Sequence, residues 1–187
     1  MDDRVVYLTM TYDLIDGAFP AGWKELKPVW LDVDQCNMSE IPPLKESGKF
    51  TITAKPWIPN FNGSVIGMGG HLHGGGVDIG LTIGSTTDCA SSAKYGESKE
   101  YIFRGGKMEN GEQVAEKHIS SMSLCFYDQI KERVLSPAKP WVLTADYDYA
   151  TFEGNKDEEG KQQSIMGIAI MFAEVPVGGV PAPKLRV

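Results

Sequence analysis

Two of the three histidines in the chain fall in one short run, Gly69-Gly70-His71-Leu72-His73-Gly74-Gly75-Gly76. In extended backbone, successive side chains alternate between faces, so His71 and His73 point the same way and both imidazoles can reach one ion. Imidazole is a common metal ligand and also titrates near neutral pH. The pair therefore has two chemistries open to it, holding a metal or moving a proton. The flanking glycines suit positive φ and close backbone approach, and they leave space around the rings. Val77-Asp78-Ile79-Gly80-Leu81-Thr82-Ile83 then resumes a strand-like alternation, which puts the pair at a strand end beside a glycine-rich turn. Two half-buried structural histidines would be written with the same letters.

His118 is the remaining histidine, and it opens the strand candidate His118–Phe126. Alternation there places His118, Ser120, Met122, Leu124 and Phe126 on one face. If strand pairing brings His118 to the pair, His71, His73 and His118 become a three-imidazole set. That set suits zinc or copper with a free coordination position, with Met122 as a second candidate thioether. The same three residues are the candidates for acid–base catalysis without metal. A surface or hydrogen-bonded strand residue is the bland reading of His118.

Other chemistries are poorly represented. No Gly-x-Ser-x-Gly elbow occurs, and no cysteine adjoins a histidine in sequence. Gly67-Met68-Gly69-Gly70 lacks the Gly-Lys-Ser/Thr that a phosphate loop needs ahead of a helix. The pairs Asp32/Asp34 and Asp146/Asp148 read as acids on an exposed sheet face. Trp23, Trp30, Trp57 and Trp141 read as core or rim, although one of them could line an apolar small-molecule pocket.

The elements that must position these residues are strands. Arg4–Tyr12, Pro28–Asp34, Lys49–Trp57, Val77–Ile83, Glu100–Phe103, His118–Phe126, Trp141–Tyr149 and Ser164–Glu174 are rich in β-branched and aromatic residues or alternate in polarity. With the segment leading into the histidines, about nine strands are expected, and no convincing amphipathic helix. Turn signals at regular spacing, with 21 glycines and 11 prolines, indicate an antiparallel β-sandwich. A length of 187 residues suits one domain, read as 1–175 followed by a Pro/Gly-rich tail over 176–187. A net charge of -7 without a basic block argues against nucleic acid or an anionic membrane surface as partner. The longest apolar run, Ile165–Ala173, is too short to span a bilayer. The N-terminus shows no signal peptide; the protein is secreted if a leader was removed, and cytoplasmic otherwise. Cys36, Cys89 and Cys125 allow one disulfide with a free thiol, or three reduced thiols. Oligomeric state is not legible.

The Gly70-His71-Leu72-His73-Gly74-Gly75 stretch, taken with Ile165-Met166-Gly167-Ile168-Ala169-Ile170-Met171-Phe172, resembles the second copper domain of peptidylglycine α-hydroxylating monooxygenase and its relatives. The histidine segment also resembles a group of small, mostly secreted fungal proteins of unassigned role, in which an Asp is expected where this chain has Gly74. The resemblance implies a jelly-roll-like sandwich with one copper held by His71, His73 and Met166, His118 being a lower-ranked candidate. A His-His-Met set is chemically coherent, since thioether favours Cu(I) while imidazole serves both oxidation states. The hydroxylases use a second copper held by three further histidines in a partner domain. This chain has too few histidines for that, so two-copper hydroxylation by the chain alone is not expected. A Cys89–Cys125 disulfide is suggested by the resemblance and by the odd cysteine count.

Two functions follow as expectations. One is a mononuclear metal protein, with copper first and zinc second, that acts on or binds a small organic molecule in monooxygenase-like chemistry. The other is a metal-independent cyclase, isomerase or binding protein on the same scaffold, with the histidines as acid–base groups. A structural domain without a site is the third reading.

Overall fold

A computed structural model describes residues 5, 7–14, 16–18, 20–24, 26–83, 86–97, 108–109, 112–113 and 118–176. Its elements are β1 (Leu26–Asp32), β2 (Lys49–Thr53), β3 (Gly63–Leu72), β4 (Gly76–Ile83), β5 (Thr86–Tyr95), β6 (Met108–Glu109), β7 (Glu112–Gln113), β8 (Ile119–Met122), β9 (Leu124–Phe126), β10 (Val134–Leu135), β11 (Trp141–Asp148) and β12 (Gly167–Glu174). Among the described residues there is no helix.

Ten strands form two antiparallel sheets, and β6–β7 is a separate ribbon. One sheet runs β1-β12-β3-β10, with β9 also pairing β3; the other runs β2-β11-β4-β5-β8. Alternation along the strands makes each sheet one-sided, and the two apolar faces close on each other. From the first sheet Leu31, Val65, Met68, Leu72, Ala169 and Met171 point inward; from the second Phe50, Ile52, Ile79, Leu81, Leu143, Ala145 and Tyr147 meet them. The chain is thus an all-β sandwich, as the alternation predicts. Gly70 marks a place where the sheets come too close for a side chain, since a Cβ there would lie 2.9 Å from Ile79 Cγ1.

Cys89 of β5 and Cys125 of β9 form a disulfide that joins the two sheets, and Cys36 is free and exposed. The expected pairing is therefore present.

Three expected elements come out differently. Within the first strand candidate, the described residues 5 and 7–12 pair with no described strand, and Tyr7 and Leu8 are 88% and 89% exposed. The candidate His118–Phe126 is not one strand. It breaks at Ser123, with β8 in the second sheet and β9 in the first. The Ser123 N–H donates to Ser92 O at 2.9 Å, and its carbonyl accepts from Ser91 Oγ at 2.5 Å, so the crossing backbone stays paired. The single face drawn through His118, Met122 and Phe126 therefore does not exist. Met122 packs against the core, whereas Leu124 and Phe126 stand exposed on the outer face of the first sheet. The candidate Glu100–Phe103 lies outside the described residues, as does nearly all of the C-terminal tail.

Candidate metal centre

The first sheet carries its inward residues at Met68, Gly70 and Leu72 of β3, so Gly69 and His71 face outward, followed by His73 just past the strand end. His71 and His73 lie on the same side, with ring centroids 5.7 Å apart and planes at 88°. Nitrogen–metal bonds of about 2.0–2.1 Å place an imidazole centre roughly 3.1 Å from the ion, so two rings on one ion can be up to about 6.2 Å apart. The observed spacing is within that reach.

The turn after the pair takes the chain from one sheet to the other. His73-Gly74-Gly75-Gly76 is closed by Gly76 N–H donating to His73 O at 3.0 Å, with Gly75 at φ +86. Positive φ at the third turn residue, with the Tyr149 ring against the space of a Cβ, leaves glycine as the fitting residue there. Two tyrosines of the second sheet pin this turn. Tyr95 Oη donates to Gly76 O at 2.7 Å, and burial pushes its phenol up to about 12. Tyr147 Oη donates to Met166 O at 2.6 Å and accepts from His73 N–H at 3.3 Å. Burial also pushes the Tyr147 phenol far up, so it remains a neutral donor.

Met166 precedes β12. Leu72 pairs with Gly167, and a Cβ on Gly167 would strike Ala145 and Val33 in the core, so Gly167 faces inward. Its neighbour Met166 therefore belongs to the outer face, next to His73 on the adjoining strand, and is half-buried.

The two rings are held differently. His73 Nδ1 lies 2.8 Å from Ser164 O. A carbonyl can only accept, so Nδ1 carries the proton and Nε2 keeps the lone pair that a metal or a substrate proton would use. In His71 burial, and then the charge His73 would carry, hold the imidazole below its ordinary pKa and favour its neutral, ligating form.

His118 does not join them. It sits at the start of β8, the edge strand of the opposite sheet, where its carbonyl accepts from Gly96 N–H at 3.2 Å. Among the described residues no three or more His, Cys, Asp or Glu side chains gather to hold a metal. The three-imidazole set is thus a correction to the sequence reading: the break at Ser123 puts β8 in the other sheet. The pair itself offers two imidazoles, and Met166 is joined to it through Tyr147, whose hydroxyl meets both Met166 O and His73 N–H. Met122, packed against the core, is likewise not on the pair's outer face.

On one side the pair adjoins an apolar outer sheet face that exposes Trp30, Ile170, Phe172 and Leu124. On the other, His73 lines a polar cleft of ≈ 420 Å³ with Glu40, Asn155, Lys161, Gln163 and Ser164. Asn155 Oδ1 occupies the space beside Gly74 where the resemblance leads one to expect an Asp side chain. Tyr147 and Ser164 are the positioning residues that sequence reading missed. Tyr147 acts through its hydroxyl on distant backbone groups and Ser164 through its own carbonyl, and nothing local marks either.

Comparison with family models, with curated proteins and with solved structures returned no match.

Proposed function

We propose that the protein is a mononuclear copper protein whose ion is held by His71, His73 and Met166, and that it acts on or binds a small organic molecule at the adjoining cleft. The observation that carries this reading is the commitment of His73 Nδ1 to Ser164 O, which leaves Nε2 as the free ring nitrogen beside a second imidazole whose centroid is 5.7 Å away. An imidazole oriented through its second nitrogen is how metal-bound histidines are prepared. Copper on two imidazoles and a thioether supplies a centre that can change oxidation state. The chain's own part is to hold the rings, to keep His71 neutral, and to receive the polar end of a substrate between Glu40, Asn155 and Lys161. The inter-sheet disulfide supports a secreted protein, because such bonds persist in oxidising compartments.

A second reading keeps the cleft and omits the metal. His73 lines the cleft together with Glu40 and Lys161, so it can exchange a proton with a bound molecule directly. Titration with Cu(II), read by electron paramagnetic resonance, separates the two. One equivalent should bind with nitrogen hyperfine structure, and His71→Ala/His73→Ala should lose it while His118→Ala retains it. A wild-type protein that takes up neither Cu(I) nor Cu(II) removes the copper reading, and turnover unchanged in EDTA would favour the acid–base one.

A further inference from the structure

Large apolar side chains left exposed among the described residues gather mainly in two places. One is the outer face of the first sheet. Strand pairing sets Trp30, Ile170, Gly69 and Leu124 in one row of that face, and Pro28, Phe172, Gly67 and Phe126 in the next. No charged residue stands in either row, and the large side chains are from 38% (Ile170) to 56% (Phe126) exposed. Leu124 lies flat over the middle strand, its Cδ2 2.7 Å from where a Cβ on Gly69 would be. The other place is the segment ahead of β1. Leu8, Met10, Tyr12 and Leu14 are from 64% (Met10) to 89% (Leu8) exposed, and Thr9, Thr11 and Asp13 alternate with them. In extended backbone that alternation puts four apolar side chains on one side and three polar ones on the other, the pattern of a strand with one covered face. In the single chain all four stand in solvent, away from the chain's own apolar sheet face.

We propose that two copies of this chain exchange these segments, the apolar side of residues 8–14 of each lying on the outer sheet face of the other. Both surfaces are apolar and uncharged, and a two-fold exchange covers both on each copy and closes the pair. Four side chains of the segment and five of the face, counted for both contacts and about half covered, bury on the order of 1,500 Å², the size of a stable interface. Residues 15–25, between the segment and β1, give it a reach of roughly 35 Å. The face is the docking surface because the adjoining sheet edge is blunted. Val33 N–H donates to Gly167 O at 2.9 Å, so by alternation Pro28 turns its nitrogen to the open edge of β1 and offers no donor there. His71 pairs with Ile168 in the row beyond Ile170, so the incoming segment borders the histidine pair on its apolar side. The exchange does not depend on a metal at that pair.

Sedimentation of the full chain over a range of concentrations tests this. A reversible dimer is expected at tens of micromolar protein, in EDTA as well as without it. Leu8→Ser/Met10→Ser, and separately Phe172→Ser, should each weaken it at least about tenfold with far-ultraviolet circular dichroism unchanged, since all three side chains are exposed. A second measurement serves if a variant fails to fold. Chains with Leu8→Cys are mixed with chains with Leu124→Cys, both in a Cys36→Ser background that removes the free thiol, and treated with a short bismaleimide. A covalent pair between the two variants, identified by its mass, is expected. A wild type that stays monomeric, a dimer indifferent to Leu8→Ser/Met10→Ser, or a cross-link formed only when both substitutions are in one chain would overturn the proposal; in the last case the segment folds back on its own sheet.

Discussion

Asp78 and Asp146 stand directly opposite each other on β4 and β11, and Thr51 Oγ1 donates to Asp146 Oδ1. Like charges across a ladder repel, and burial first, then the Asp146 charge and hydrogen bond, push the Asp78 carboxyl above its usual range. The folded chain thus holds this proton more tightly than the unfolded one. Its stabilising contribution is complete below the unfolded value of about 3.9 and is lost as pH rises through the raised folded value. Near neutral pH the pair is a liability. Asp146→Asn keeps an acceptor for Thr51 and removes one charge, so it should raise stability at about pH 7 by roughly 0.5 kcal/mol. The gain should shrink at about pH 4, where Asp78 regains its proton. Urea denaturation at the two pH values measures both; an Asn variant no more stable at neutral pH would mean that the carboxylates do not interact.

At the scale of elements, the strands written by alternation formed where a partner was available. β2, β4, β11 and β12 match their apolar periods because each has one face on the core. The described residues 5 and 7–12 carry the same β-forming composition yet pair with no described strand, since β propensity describes fitness for a sheet surface and does not supply the neighbour. The break at Ser123 was illegible for a related reason: both halves alternate correctly, and only long-range pairing decides that they belong to different sheets. The site divides along the same line. His71 and His73 are legible because their spacing is local, whereas the distance of His118 from them depends on that break. Tyr147 was invisible as a positioning residue, although its strand was not. Its hydroxyl ties the ends of β3 and β12 together from the opposite sheet. Tyr147→Phe retains the ring stacked on Phe50, centroids 5.2 Å apart, and deletes only that tie. We expect a loss of about 1–2 kcal/mol in denaturant and about tenfold weaker Cu(II) binding, with His71 and His73 intact. Unchanged copper affinity beside reduced stability would limit Tyr147 to a structural role.

Across the whole molecule, the two sheets share one apolar interior and one covalent cross-link. Cys89 pairs opposite Leu81, and Cys125 opposite Met68, so the disulfide passes between strands that already face each other across the core. It closes a separation of 36 residues, for which the chain-entropy model gives about 3–4 kcal/mol. A domain of this size has about 5–15 kcal/mol in all, so the bond represents a large share of the margin against unfolding. Cys125 lies in β9 beside β3, the strand that ends at the histidine pair, so loosening this edge reaches the site as well as the core. Cys89→Ala/Cys125→Ala should therefore lower the unfolding free energy by about 3 kcal/mol. Dithiothreitol should lower the wild type by a similar amount and leave the double variant unmoved. The comparison isolates the bond from the packing of its sulfurs. A variant that loses stability while the reduced wild type does not would assign the effect to lost core volume.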